Sequence, residues 1–167
     1  MKKHFVFIAV SVLLLGTASC GNRKQQSREA RVAEFRSELT AADTTEMLKL
    51  CDDAMEQLKA KKVDNVLASL YEYTDSTEEV KPLSEETKKK YAVMFKLYPV
   101  LDYQRVYYSF QLEGCNDVKY KVTFATAEAA GTEEAPSTHY MFNPVKVDGT
   151  WKLCVKTADD EIDETMR

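Results

Sequence analysis

The sequence predicts an α+β domain in which N-terminal helices pack on an antiparallel sheet. Apolar residues recur at three- and four-residue steps through the first half of the chain. The period changes to two from Leu101 onward, and an Asp148-Gly149 dipeptide separates two alternating runs near the end.

The first helix opens at Asp43-Thr44-Thr45-Glu46, a capping-box pattern with Asp43 at the N-cap and Glu46 three residues on. Met47, Leu50, Cys51, Ala54, Met55 and Leu58 then share one face. After Lys61-Lys62 the chain breaks at Val63-Asp64, and Asp64 is expected to cap a second helix with Val66, Leu67, Leu70 and Tyr71 inside. Ser84 caps a third, which turns Tyr91, Met94, Phe95 and Tyr98 inward until Pro99 stops it.

The strands follow. Tyr103, Arg105, Tyr107 and Ser109 alternate with Val106, Tyr108, Phe110 and Leu112, so the two sets are expected on opposite faces. Glu113 to Asp117 turns the chain, and Val118, Tyr120, Val122 and Phe124 alternate with Lys119, Lys121 and Thr123. Ala127 to Thr138 has the composition of an exposed loop. Asp148-Gly149 suits a two-residue type I′ turn, because both positions need positive φ. It sets Val147 opposite Thr150, Lys146 opposite Trp151 and Pro144 opposite Leu153, which gathers Tyr140, Phe142, Trp151, Leu153 and Val155 on one face.

Four stretches organise the chain: a signal peptide over 1–19, a lipid-anchored tether over 20–42, the domain over 43–158 and an acidic tail over 159–167. Lys2, Lys3 and His4 precede an apolar run from Phe5 to Leu15, and small residues follow up to Cys20, which is the three-part plan of a secretory signal. The run is too short to span a bilayer, which takes about 20 apolar residues. The stretch LLLGTASC resembles a bacterial lipoprotein box, with Thr17 where leucine is commonest. That resemblance implies cleavage before Cys20 and acylation of its thiol. With about 0.8 kcal/mol for each buried methylene, two or three chains hold a protein on a membrane. Gly21-Asn22-Arg23-Lys24 lacks an acidic run of the kind tied to surface export in such lipoproteins, so the expected location is the bacterial cell envelope, at the outer membrane facing the periplasm. The tether has helical potential between Ser27 and Leu39, and its Arg23, Lys24, Arg28, Arg31 and Arg36 are interrupted by Glu29, Glu34 and Glu38.

Composition narrows the function. The chain carries 23 Lys+Arg against 27 Asp+Glu, and without the signal 21 against 27. A mildly acidic domain is a poor partner for nucleic acid, which needs clustered cations. About 115 residues from Asp43 to Thr157 suffice for a core without disulfide support. Cys51, Cys115 and Cys154 allow at most one internal bridge, and the alternative is that Cys51 and Cys154 are small buried hydrophobes. There is no Cys-x-x-Cys, no Gly-x-Ser-x-Gly and no Gly-rich phosphate loop, and neither a metal site nor a cofactor is expected. His139, beside the loop, reads as a surface histidine.

The stretches KKVDNVLASLYE and VKVDGTWKLCV, within a helices-then-sheet order over Asp43 to Thr157, resemble the nuclear transport factor 2-like superfamily, and the whole resembles small Bacteroidota lipoproteins of that fold. The resemblance implies a cone of helices against a strongly bent antiparallel sheet. It also implies a choice between isomerases, dehydratases, hydrolytic enzymes and non-catalytic modules, since one fold hosts many functions. Enzymes of the superfamily place an Asp with a Tyr or a His inside the cone, but no local pattern here fixes such a pair, so no catalytic residue is carried over.

The best candidate surface is aromatic. A Tyr rim with an Arg can hold a planar or anionic ligand, and the ligand-binding set is Tyr103, Arg105, Tyr107, Phe142 and Trp151. The expected function is a membrane-tethered, non-catalytic module for a small ligand or an envelope protein. One alternative is an isomerase or dehydratase using Asp102 with Tyr107, and another is a homodimer formed through the sheet that carries Tyr103, Arg105 and Lys119.

Overall fold

The structure, a computed structural model, describes residues 27–74 and 77–156. The signal, Cys20 and the acidic tail lie outside them. Among the described residues no helix is long and apolar enough to cross a membrane.

Helices α1 (Arg28–Glu38), α2 (Ala41–Lys59), α3 (Val63–Ser69) and α4 (Glu85–Leu97) pack against a six-stranded sheet. Its strands are β1 (Leu70–Thr74), β2 (Glu79–Pro82), β3 (Asp102–Leu112), β4 (Cys115–Thr123), β5 (Ser137–Val147) and β6 (Thr150–Lys156), in the order β2-β1-β6-β5-β4-β3. This is the expected α+β architecture. All neighbours are antiparallel except β1 and β6, which run parallel with Leu70 beside Leu153.

The sequence misplaced three helix boundaries. Thr40, not Asp43, caps α2, and Asp43 is the acidic third residue of the capping box: the Thr40 hydroxyl accepts from the Asp43 N–H while Asp43 Oδ2 accepts from the Thr40 N–H, both at 3.1 Å. Lys62, with no side-chain cap, precedes α3, and Asp64 sits in its first turn. Leu70 and Tyr71 leave that helix for β1, although Val63, Val66, Leu67 and Leu70 keep helical spacing across the junction. Ser84 caps α4 as expected, but Tyr98 ends exposed at its C-cap, where its carbonyl accepts from the Tyr140 hydroxyl at 2.5 Å.

The β5–β6 hairpin has the expected turn and register. Asp148 and Gly149 have φ of 48° and 79°, and Val147, Lys146 and Pro144 face Thr150, Trp151 and Leu153. The β3–β4 turn is shorter than expected, because β4 already begins at Cys115 and only Glu113-Gly114 lies between the strands. The Ala127 to Thr138 stretch contains a short helix, α5 (Ala127–Ala130), capped by Thr126 and ended by Gly131 at φ 66°.

Curvature comes from β3. Its register against β4 slips at Val106 and again at Gln111, two bulges that bend the strand and tighten its twist. The sheet curls far enough that the Gly114 turn touches Tyr73 of β1, three strands away in sheet order; a Cβ on Gly114 would lie 2.0 Å from the Tyr73 ring. Where β4 and β5 part below Val118 and Phe142, buried Asn116 and Asn143 take over the ladder. Asn143 Oδ1 accepts from the Asn116 N–H at 2.8 Å, Asn143 Nδ2 donates to the Gly114 carbonyl at 2.8 Å, and Asn116 Nδ2 donates to the Pro144 carbonyl at 2.9 Å. Pro144 has no N–H to offer, so side chains supply what the backbone lacks.

The concave side is filled by Met47, Cys51, Met55, Leu58, Val66, Phe95, Tyr120, Phe142, Trp151 and Leu153. Helix α1, read from the sequence as part of the tether, belongs to this packing: Phe35 and Leu39 rest on the core, and Arg36 Nε donates to the Phe110 carbonyl at 3.1 Å. It thereby covers one half of the edge strand β3.

Candidate functional site

Helix α2 turns two stripes toward the sheet. Cys51, Met55 and Leu58 fill the core, and beside them Asp52, Glu56 and Lys59, at steps of four and three, reach the N-terminal half of β3. Strands β3 and β4 answer with Tyr103, Arg105 and Tyr120, which face inward because Tyr103 pairs with buried Val122 and Arg105 with Tyr120.

These side chains engage one another. Tyr120 donates to Asp52 Oδ1 at 2.6 Å and Arg105 Nη1 to Asp52 Oδ2 at 3.3 Å, while Tyr103 donates to Glu56 Oε1 at 2.6 Å. Lys59 closes the row on Asp102 at 2.9 Å, with its ammonium 5.8 Å from the Tyr103 ring centre. Burial, with the bond to Asp52, pushes the Tyr120 phenol well above its usual range, and burial with the bond to Glu56 does the same for Tyr103. Both phenols stay protonated as donors. The Lys59 ammonium depresses the Asp102 carboxyl.

The bulge at Val106 decides the rest. One extra residue reverses the alternation, so Tyr107 pairs with Lys119 on the outer face, while Tyr108 joins Arg105 on the inner one. This corrects the expected grouping of Tyr103, Arg105 and Tyr107. Tyr108 is 51% exposed, and the Arg105 guanidinium lies 6.0 Å from its ring centre. Phe142 and Trp151 are 2% and 4% exposed in the core, away from any rim; the Trp151 indole N–H donates to Asp43 at 3.1 Å. Of the sequence candidates, Tyr103 and Arg105 come together, and Tyr107, Phe142 and Trp151 do not join them. Asp102 and Tyr107 do not converge either, since Asp102 is held by Lys59 and Tyr107 lies near Lys119, 5.9 Å from ring centre to ammonium.

Asp52, Glu56 and Tyr120 escaped sequence reasoning. The signal was present as carboxylates four apart on the flank of an apolar stripe. His139 is exposed opposite Lys121, and Cys51, Cys115 and Cys154 are unbridged. Among the described residues no group of three or more His, Cys, Asp or Glu is placed to hold a metal ion.

No family model and no curated protein matches the sequence. Two solved structures are similar to the chain. A protein assigned as a nuclear transport factor 2-like transpeptidase from Campylobacter jejuni is 13% identical, with a TM-score of 0.37 over 65% of this chain and 96% of its own. A protein of unknown function with a cystatin-like fold from Nostoc punctiforme is 18% identical, with a TM-score of 0.46 over 71% of this chain and 93% of its own. Neither likeness assigns a role to any residue here, and the chain stands on its own topology as an α+β domain, its helices packed into the curl of a six-stranded sheet.

Proposed function

We propose that this is a nuclear transport factor 2-like lipoprotein of the Bacteroidota type, held by acylated Cys20 at the outer membrane and facing the periplasm, which binds a small ligand or an envelope partner without transforming it. The anchor is supported by the sequence around Cys20. The binding role is supported above all by Arg105. Asp52 fixes one edge of its guanidinium, Tyr108 lies beside it, and 33% of the side chain stays open to solvent. A planar guanidinium with spare donors takes a carboxylate or phosphate in a bidentate fork, and Tyr108 offers a face for a flat group. The neighbouring acid–base groups are already spent on each other, which favours holding a ligand over moving its protons.

A chain released from its own membranes in mild detergent tests both halves. Its denatured mass should be that of an acylated polypeptide beginning at Cys20. Its native mass should show an adduct that denaturation removes and that Arg105→Ala fails to retain. A bare native chain would remove the small-ligand reading and leave a protein partner.

The Asp52–Tyr120 contact favours a second reading, an isomerase or dehydratase with its Asp and Tyr at the cone mouth. That chemistry needs Asp52 to give up two donors and take a substrate proton. If Asp52→Asn converts the bound compound as fast as the parent chain does, this reading fails.

A further inference from the structure

We propose that a second cleft, which shares no residue with the Arg105 rim, holds the phosphoethanolamine headgroup of a phospholipid in the membrane that carries the anchor; the proposal rests on Cys20 being that anchor. The cleft has a volume of about 710 Å³ and runs from the first turn of α1 to the β3–β4 turn and the end of β5.

Position comes first. Arg28 and Arg31 line the cleft, and Ser27, the cap of their helix, is seven residues from Cys20. Seven extended residues reach about 25 Å, less than the roughly 35 Å breadth of a domain of this size. Helix α1 is not free to swing, because Arg36 holds the Phe110 carbonyl and Arg28 Nη2 donates to Gln111 Oε1 at 3.0 Å. An anchored chain therefore keeps this cleft near the headgroup layer.

Chemistry selects the headgroup. The cleft offers the cations Arg28, Arg31 and Lys146 and the carboxylates Glu78, Glu113 and Asp148, over a floor that includes Tyr73 and Val145. A purely anionic ligand would meet three carboxylates and a purely cationic one three cations. A zwitterion whose charges stand a few ångström apart satisfies both sets. Lys146 is committed to Asp43, so the phosphate falls to the guanidinium groups. Arg31 approaches Glu78 only at 4.0 Å, with both side chains largely exposed, and so loose a pair gives way at little cost. A primary ammonium donates hydrogen bonds to Glu113 and Asp148. Choline cannot donate, and one tyrosine ring is not the aromatic cage it needs.

The test uses the mature chain, residues 20–167, with Cys20→Ser, so that neither an acyl group nor the apolar run of the signal floats it, and three vesicle types: phosphatidylcholine alone, with phosphatidylethanolamine, and with phosphatidylglycerol. Flotation is expected with phosphatidylethanolamine alone of the three, and Arg31→Ala or Glu113→Gln should weaken it about tenfold while melting like the parent. Because one headgroup binds weakly, glycerophosphoethanolamine should also be titrated, and it should shift the backbone resonances of residues 112–115 and 145–148. Flotation driven by phosphatidylglycerol, flotation on all three vesicles, insensitivity to both substitutions, or resonance shifts elsewhere would each overturn the proposal, as would no response in either measurement. The denatured mass of the native chain judges the anchor separately. Unacylated Cys20 with selective flotation removes the anchor alone, and acylated Cys20 without binding removes the cleft alone.

Discussion

Asp43 gathers four donors: the Thr40 N–H and hydroxyl on one oxygen, the Lys146 ammonium and the Trp151 indole on the other. It thus pins the start of α2 to the β5–β6 hairpin. The Lys146 bond first, then those from Thr40 and Trp151, hold its carboxyl far below the usual range. A folded value below the unfolded one gives stability that is whole above about pH 4 and drains away as the pH falls toward the folded value. Denaturant midpoints should therefore drop on acidification below pH 4, and Asp43→Asn should lower the midpoint at pH 7 and flatten that drop. Thr40→Ala, which removes the hydroxyl that both caps the helix and donates to Asp43, should cost about 1 kcal/mol or somewhat more in the same assay. At Gly114 the limit is space. Gly114→Ala would drive a methyl group into the Tyr73 ring and should cost about 1–3 kcal/mol in the parent but little in a Tyr73→Ala background, whose own cavity cost a double-mutant cycle subtracts. Nothing in the sequence marks that contact, because it joins residues distant in sequence and in sheet order.

At the scale of the element, periodicity carried most of what could be read. The α2 stripe and the β5–β6 register stand as expected, since both depend on local spacing and on one turn whose φ values only a few residues accept. β1 and β2 escaped for a physical reason. β1 is short, its Leu70 continues a helical spacing, and the strand exists because β6 lies beside it. β2 is an exposed edge strand with Lys81 and Pro82, chemistry that reads as a loop. The Val106 bulge was equally silent, yet it decides which tyrosines meet Arg105. Deleting Val106 should close the bulge yet leave Tyr107 outward and Tyr108 and Phe110 inward, because Arg105 with Tyr120 and Tyr107 with Lys119 then follow in unbroken register. Its cost should come from lost curvature and fall well short of the roughly 3 kcal/mol or more that turning core Phe110 outward would bring. A loss that large in a melting curve against the parent chain would mean that Val106 is not the extra residue that sorts these side chains.

Across the whole molecule, the thiols report on compactness. Cys51 lies on the inner face of α2 and Cys154 in β6, both fully buried, and burial pushes the Cys154 thiol up to about 12 and Cys51 higher still. A thiol reagent should therefore label half-buried Cys115 first and reach the other two only on unfolding. Reductant should leave the melting temperature unchanged, since the three thiols are unbridged. The parallel contact between β1 and β6 has a further consequence, in time. Leu70 and Leu153 meet across some eighty residues of intervening chain, so this contact closes a large loop, and it cannot begin until nearly the last strand has been made. A chain emerging N-terminus first must keep Leu70 and the helices that cover it waiting without their partner. The chain is thus most vulnerable to sticking to its neighbours until β6 is in place, and a chain truncated at Gly149 should remain protease-sensitive where one that includes residues 150–156 has become resistant.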